Sequence, residues 1–224
     1  MNKSITTDEE NKPRFTARAT LVALGYKLKK EKVLQPITEG VKFSQKTVKY
    51  TPTEKLQDAL IGILSGVKGL YEINKRVRPD KALQRAFGRE GCAEQSVIQN
   101  TLDASTEKNL RQMQIAFDKI YQRHSQGYRH NYKKEFLLLD ADMTGRPCGR
   151  KAAFASKGYF ANKRNRRGRQ EGYLIATPYD EIVTKQLFDG KTQLPKALTP
   201  LIEVAERTLG LDQDKKNGSA PFFE

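Results

Sequence analysis

The sequence predicts an α+β protein, a helical amino-terminal region followed by an α/β segment, and three observations carry that expectation. The run Thr51-Pro52-Thr53-Glu54 is a capping box, with a hydroxyl at the N-cap, Pro at the first helical position and Glu at the third. The apolar pattern then changes at Glu135-Phe136-Leu137-Leu138-Leu139, a continuous run typical of a strand rather than a helix. Finally Leu194 to Leu211 returns to helical spacing, with Leu198, Leu201, Ile202, Ala205 and Leu209 on one side.

Length and composition bound what these elements can build. A chain of 224 residues holds one large domain or two small ones, and 37% hydrophobic residues is a lean supply for a core. The two cysteines, Cys92 and Cys148, lie far apart in unlike contexts, which fits neither a disulfide framework nor a zinc site and points to a reducing compartment. There is no run of about 18 apolar residues and no apolar stretch in the first residues, so a soluble, cytoplasmic protein without a membrane partner is expected.

Charge is the strongest compositional signal. The formal net charge is +15, and clustered Lys and Arg favour a polyanion because they displace counterions from a phosphate backbone. Between Arg123 and Arg169 thirteen basic residues face only Glu135, Asp140 and Asp142, a net of +10, whereas Gln170 to Glu224 carries six basic and nine acidic residues. An evenly solvated basic surface would not concentrate its excess in this way.

Residues 1 to 50 are polar, rich in Lys and Thr, and read as a basic, partly ordered arm. The helix from Thr51 carries Leu56, Leu60, Ile63, Leu64 and Val67 on one face. After a turn at Arg78-Pro79-Asp80, Lys81 to Phe87 forms a short helix ended by Gly88, and Ala93 to Ala104 resumes after the break Arg89-Glu90-Gly91. Two short helices around a Gly-containing turn, the second displaying Gln95, Ser96, Gln99 and Asn100, have the outline of a helix-turn-helix, and equally that of an ordinary helical hairpin. A longer helix, Thr106 to His124, sets Leu110, Met113, Phe117, Ile120 and Tyr121 toward a core. Residues 51 to 125 are thus a helical region.

The α/β segment, residues 126 to 211, begins with the strand Glu135 to Asp142, expected to be central and buried on both faces. Alternation puts Asp140 and Asp142 on one side, roughly 7 Å apart along the chain. Buried unpaired carboxylates are costly, so at least one belongs at the open end of the strand, bound to metal or capped. The plain alternative is that Asp142 caps a turn over Met143 to Pro147. Next, Lys163-Arg164-Asn165-Arg166-Arg167-Gly168-Arg169 holds five cations in seven residues, with Lys157, Tyr159 and Phe160 just before it. Such a loop can follow a phosphate backbone, or be a solvated hairpin tip. Gly172 to Thr177 reads as a second strand, Glu181 to Phe188 as a third strand or a helix, and Asp212 to Glu224 as a disordered tail.

Taken together, Leu139-Asp140-Ala141-Asp142-Met143-Thr144-Gly145-Arg146-Pro147-Cys148-Gly149, Lys157-Gly158-Tyr159-Phe160, Asn165 to Gln170 and Tyr179-Asp180-Glu181-Ile182-Val183 resemble the first half of the catalytic domain of bacterial insertion-sequence DDE transposases. Tyr50 to Leu64 and Arg85 to Ser96 resemble the helical region ahead of that domain, so the likeness covers about residues 50 to 211. The resemblance implies an incomplete RNase H-like domain after a DNA-binding helical region. It also implies a site in which Asp, Asp and Glu hold two Mg2+ or Mn2+ ions for phosphoryl transfer on DNA. Asp142, followed two residues later by Thr144, matches the first Asp, with Asp140 in reserve. No strand bearing the second Asp and no helix bearing the Glu follows Leu211, so the chain is expected to be an amino-terminal portion, inactive alone.

The implied partners are double-stranded DNA at transposon ends and a second copy or a full-length transposase. The expected contacts are Gln95, Ser96, Gln99 and Asn100 on the helix, and Lys157, Lys163, Arg164, Arg166, Arg167 and Arg169 on the loop. Two rivals stand beside this reading. One is a non-catalytic DNA-binding protein that competes with the full-length enzyme; the other is an RNA- or ribosome-associated basic protein, a role to which a strand ending in paired Asp is poorly suited.

Overall fold

In a computed structural model, which describes residues 15–47 and 49–211, the chain is α+β, with eight α-helices and one four-stranded antiparallel sheet among the described residues. It divides into two compact units, Met1–Ile120 and Tyr121–Glu224, the division falling within the long helix that links them. The expected tail at 212 to 224 and the first fourteen residues of the expected arm lie outside the described residues.

In the first unit the helices are α1 (Ala19–Lys30), α2 (Gln35–Gly40), α3 (Pro52–Leu64), α4 (Ile73–Arg76), α5 (Lys81–Ala86), α6 (Gln95–Asp103) and most of α7 (Glu107–His124). The capping box forms as the sequence requires. Thr51 Oγ1 accepts from the Glu54 amide at 3.2 Å, and the Glu54 carboxylate accepts from the Thr51 amide at 2.7 Å. Gly88 ends α5 in the left-handed conformation (φ +77°), and the following amide of Arg89 reaches back to the Gln84 carbonyl at 2.9 Å, which closes the last turn. The core is built from Ile61, Ile73, Val77, Leu83, Ala86, Phe87, Cys92, Ala93 and Ile98.

Two helices occur where an arm is expected, and α1 covers this core. Leu21, Val22 and Leu28 pack against it, and Gly25 lies so close to Phe87 that a Cβ there would come within 2.6 Å of the ring. The apolar run of α1, Leu21 to Leu24, is short and is followed by Lys27, Lys29 and Lys30, so it does not mark a packed helix in the sequence. The expected inner face of α7 is also only partly realised. Leu110 is 65% and Phe117 52% exposed, while Asn109 and Ala116 are the buried positions of that helix. Asn109 is drawn inward by polar bonds, donating from Nδ2 to the Lys42 carbonyl at 2.7 Å.

The loop between α5 and α6 is pinned to α3 by a buried ion pair. Arg89 donates from Nε to Asp58 Oδ1 at 2.9 Å and from Nη2 to Oδ2 at 3.3 Å, while the Ala93 amide donates to the same carboxylate at 2.8 Å. Arg89 also bonds the Glu54 carboxylate and lies over the Tyr50 ring, 5.4 Å from its centroid. Burial pushes the Asp58 carboxyl up, and the hydrogen bonds from Arg89 and Ala93 oppose that rise without cancelling it. The same desolvation pushes the Cys92 thiol up to about 12, which makes it a packing residue rather than a nucleophile.

The second unit is a sheet with one helix on it. Its strands are β1 (Leu139–Pro147), β2 (Ser156–Phe160), β3 (Lys163–Ala176) and β4 (Glu181–Asp189), followed by α8 (Leu194–Leu209). The long β3 is the spine. Its carboxyl-terminal half pairs with β1, from Leu139↔Ala176 to Pro147↔Gly168, and with β4, and its amino-terminal half forms a hairpin with β2. Glu181 to Asp189 is therefore a strand, not a helix. Helix α8 covers one face through Ala197, Leu201, Ala205 and Leu209, which meet Leu174, Ala176 and Val183, with Leu139, Ala141 and Met143 packed alongside.

Four expectations are corrected here. β1 is not buried on both faces: it pairs with β3 alone among the described strands, only its odd-numbered residues lie under α8, and Phe136, ahead of it, is 91% exposed. Asp140 and Asp142 accordingly sit within the strand and not at its end, exposed because their face is uncovered. The expected turn at Met143 to Pro147 is the second half of the same strand, so Asp142 caps nothing there. Likewise the expected basic loop is the first half of β3, because the turn falls earlier, at Ala161 and Asn162, both with positive φ.

Removing Arg89 while leaving Asp58 in place strands a carboxylate in the core. We expect Arg89→Met to cost about 3–5 kcal/mol in urea unfolding, and the double change Asp58→Leu/Arg89→Met to recover most of it. Equal losses in the single and double variants would show that the pair is not the pin of this loop.

Candidate functional site

The strand period of two divides the residues of the sheet into two chemically distinct faces. From Arg166 onward the even-numbered residues of β3 lie on the α8 side: Arg166, Gly168, Gln170, Gly172, Leu174 and Ala176. The odd-numbered ones, Arg167, Arg169, Glu171, Tyr173 and Ile175, lie on the open side, with their cross-strand partners Arg146, Thr144, Asp142 and Asp140 of β1. On β2, Lys157 is opposite Arg167 and shares the open face.

The α8 side of the hairpin is held by one aromatic ring on a floor of glycines. Phe160, 2% exposed, lies against Gly145, Gly158, Gly168 and Gly190. A Cβ added at Gly158 would fall 2.9 Å from the ring and one at Gly145 3.1 Å, while one at Gly168 would collide outright. A bulge permits the approach, because Gly158 pairs with Arg166 and Phe160 with Lys163, which leaves one extra residue on β3, and Asn165 there takes φ +54°. The basic hairpin is therefore anchored to the sheet beneath it.

At the centre of the open face Glu171, 7% exposed, accepts from Arg146 Nε at 2.7 Å and from Lys185 Nζ at 2.5 Å, and also bonds the Tyr173 hydroxyl. Burial by itself would raise its pKa, but the bonds from Lys185, Tyr173 and Arg146 outweigh it and hold the carboxyl down at about 2. This cluster is missing from the sequence-based set of site residues. Its only sequence signal is the two-residue spacing of Glu171 and Tyr173, which puts them on one face of a strand.

Of the expected metal ligands, Asp140 accepts from the Thr177 hydroxyl at 2.7 Å, and Asp142 has no hydrogen bond or ion pair among the described residues. The two share a face, next to Ile175 and Tyr173 of β3. No group of three or more His, Cys, Asp or Glu placed to hold a metal ion occurs among the described residues. Mg2+ and Mn2+ need several oxygen ligands in fixed geometry, so this donor pair alone does not fit a two-metal centre, and no chemical step through such ions is derived for it.

In the first unit Gln95, Ser96, Gln99 and Asn100 lie on the outer side of α6, whose inner side is Ile98 and Thr101. The Gln99 side chain is engaged, donating from Nε2 to Asp103 Oδ1 at 2.7 Å, and the Gln95 backbone N–H donates to Asn74 Oδ1 at 3.1 Å. The connection from α5 to α6 runs over 87–94, longer than the three or four residues of a helix-turn-helix turn. Lys157, Lys163, Arg164, Arg166, Arg167 and Arg169 all fall on the β2–β3 hairpin, but not on one side of it: Lys157, Arg167 and Arg169 face one way and Arg166 the other.

Comparison with protein-family models, with curated proteins and with solved structures finds no match to this chain. No helix among the described residues is long and apolar enough to cross a membrane.

The depressed pKa of Glu171 carries a pH signature. Because its folded value lies below the ordinary 4.5, its ionised form stabilises the fold fully above that value, and the contribution is lost as pH falls toward about 2. Wild type should therefore hold an advantage over Glu171→Gln at neutral pH that shrinks across this window in acid unfolding followed by circular dichroism. A constant difference between the two would sever the link to Glu171.

Proposed function

We propose that the chain is a transposase-like protein that binds double-stranded DNA, with transposon ends as its targets and metal-dependent strand cleavage and transfer belonging to the intact family it resembles. The observation that carries this reading is the β2–β3 hairpin, a two-stranded ribbon packed through Phe160 and bearing Lys157, Lys163, Arg164, Arg166, Arg167 and Arg169. A ribbon of this kind can lie along a duplex and exchange its cations for condensed counterions. The RNase H-like reading of the second unit draws support from Asp142 on the first strand with Thr144 two residues on, and from α8 following the sheet, the order that the resemblance implies. The outer face of α6, with Gln95, Ser96, Gln99 and Asn100, is the second proposed DNA contact. Self-association or pairing with a full-length transposase is the proposed protein partnership.

The donor set on β1 favours a second reading as regards chemistry: a DNA-binding protein that does not cut by itself and competes with a complete enzyme. The two readings share the same DNA contact and differ in one measurable step.

Binding to duplex DNA should weaken steeply with salt. Changing the six hairpin cations to Ala should reduce the log–log salt slope by about 3 to 5 units, at about 0.9 per phosphate contact. An unchanged slope removes the hairpin from the interface.

The purified chain should bind DNA carrying transposon ends yet give, with Mg2+ or Mn2+, no more nicked product than Asp142→Ala. Metal-dependent nicking that disappears on that substitution would overturn the competitor reading and make Asp142 a working ligand.

A further inference from the structure

We infer that Arg146, Lys157, Arg167 and Arg169 form one phosphodiester-binding site on the open face of the sheet, so that the hairpin meets nucleic acid with this side and not with the side of Arg166. The inference rests on the DNA-binding reading above and adds to it a face, a residue set and a boundary.

The register supplies the first argument. Arg146 of β1 stands directly opposite Arg169 of β3, and Arg167 directly opposite Lys157 of β2. Residues directly opposite on one face have Cβ atoms only about 4.5–5.5 Å apart, and like charges in that relation destabilise a sheet. At Arg169 the β4 residue on its other side is Asp189, which offsets part of this cost, whereas the pair Lys157–Arg167 has no acid opposite it and is a cost that a bound anion turns into an attraction. Only Arg146 of the four has a carboxylate partner among the described residues, and that partner, Glu171, is already shared with Lys185 and Tyr173.

The second argument is an orphan donor. Arg169 Nε is buried and has no hydrogen-bond partner. Nε itself is closed to solvent, so a phosphate oxygen would reach this guanidinium through its terminal nitrogens, which also have no partner among the described residues and whose fork suits phosphate by two parallel bonds. Arg167 and Arg169, two residues apart on one face of the strand, have their Cα atoms about 7 Å apart, which gives the site more than one point of contact.

The boundary follows from the same face. Asp142 lies four residues from Arg146 along β1, about 13 Å away, with Asp140 beyond it. Uncompensated carboxylates repel a phosphate, so the site ends before them on β1, and Asp189, opposite Arg169 on β4, bounds it on the other side. Glu171 lies between the two regions and fixes Arg146 through the bond to its Nε, leaving the outer guanidinium nitrogens of Arg146, whose side chain is 56% exposed, directed to solvent.

The test compares charge removals on the two sides, scaled per residue, using the whole chain, a short blunt duplex DNA of arbitrary sequence and fluorescence anisotropy across a salt series. Arg146→Gln/Arg169→Gln should lower the log–log slope by about 2 units, at about 0.9 per contact. Lys157→Gln/Arg167→Gln should do the same; since those two side chains have no ion-pair partner to lose, this pair also covers the case in which the first variant unfolds. Arg166→Gln should leave the slope where it is. A wild type that binds with a salt-dependent slope, together with face variants that keep that slope, overturns the inference and leaves the DNA-binding reading intact. A loss at Arg166 as large as that per residue on the open face overturns the sidedness. A wild type with no salt-dependent binding overturns both the inference and the reading beneath it.

Discussion

The two-residue period of β3 is the constraint on which the second unit depends. Every other strand of the sheet pairs with it, so its alternation fixes the facing of residues on all four. Its even-numbered positions run Arg166, Gly168, Gln170, Gly172, Leu174, Ala176, small or apolar toward the carboxyl-terminal end, where α8 packs, and glycine where Phe160 packs. Its odd-numbered positions run Arg167, Arg169, Glu171, Tyr173, Ile175, charged at the amino-terminal end and apolar only at the last step. Slipping the strand by one residue would turn three charges toward the side of Phe160 and α8 and expose Leu174, so the register is strongly specified.

The first unit depends on a different kind of constraint, a charge that the core cannot release. Asp58 is fully buried on α3, and its oxygens are met by the Arg89 guanidinium and the Ala93 amide from the loop that joins α5 to α6. That loop has no regular structure of its own, and its conformation is set by satisfying Asp58, while Tyr50 and Glu54 close over Arg89 from the other side. Glu54 thereby serves two elements, the capping box of α3 and the ion-pair cluster. Burying such a pair yields little net stability compared with an apolar core of equal volume, but it specifies one arrangement of α3 against the loop, because any other leaves a charge without its partner.

How much of this was legible in the sequence follows from the range of each interaction. Local chemistry read well: the Thr51–Glu54 capping box, the Gly88 cap and the amphipathic α8 are set by residues within one or two turns. What failed depended on partners far along the chain. The run from Glu135 to Leu139 looks doubly buried, yet only the residues opposite Ala176, Leu174 and Gly172 go under α8, and the acids between them are solvated. The arm could not be seen to pack because Gly25 acquires meaning only from Phe87, sixty-two residues away. In the same way the five cations between Lys163 and Arg169 look like one loop in composition, and become two opposed sets only once the strand and its bulge at Asn165 are known.

The glycines and the cations of the hairpin are parts of one arrangement. A strand loses stability at each interior glycine and again at each like-charge pair, and this hairpin carries both, with Gly158 and Gly168 on one side and Lys157, Arg167 and Arg169 on the other. The glycines are explained by Phe160, whose ring needs their bare backbones and in return fastens the ribbon to the sheet. Fastening matters for the opposite face: mutually repelling side chains on a free hairpin would splay the strands, whereas on an anchored one they are held together at fixed spacing. Glu171 extends the same logic to Arg146 and Lys185, since a carboxylate ionised down to about pH 2 holds both cations beside it throughout the range in which DNA is a polyanion. The charge cluster is thus preorganised by packing on the far face and by one buried acid on its own, and a ligand that meets it has little ordering left to do.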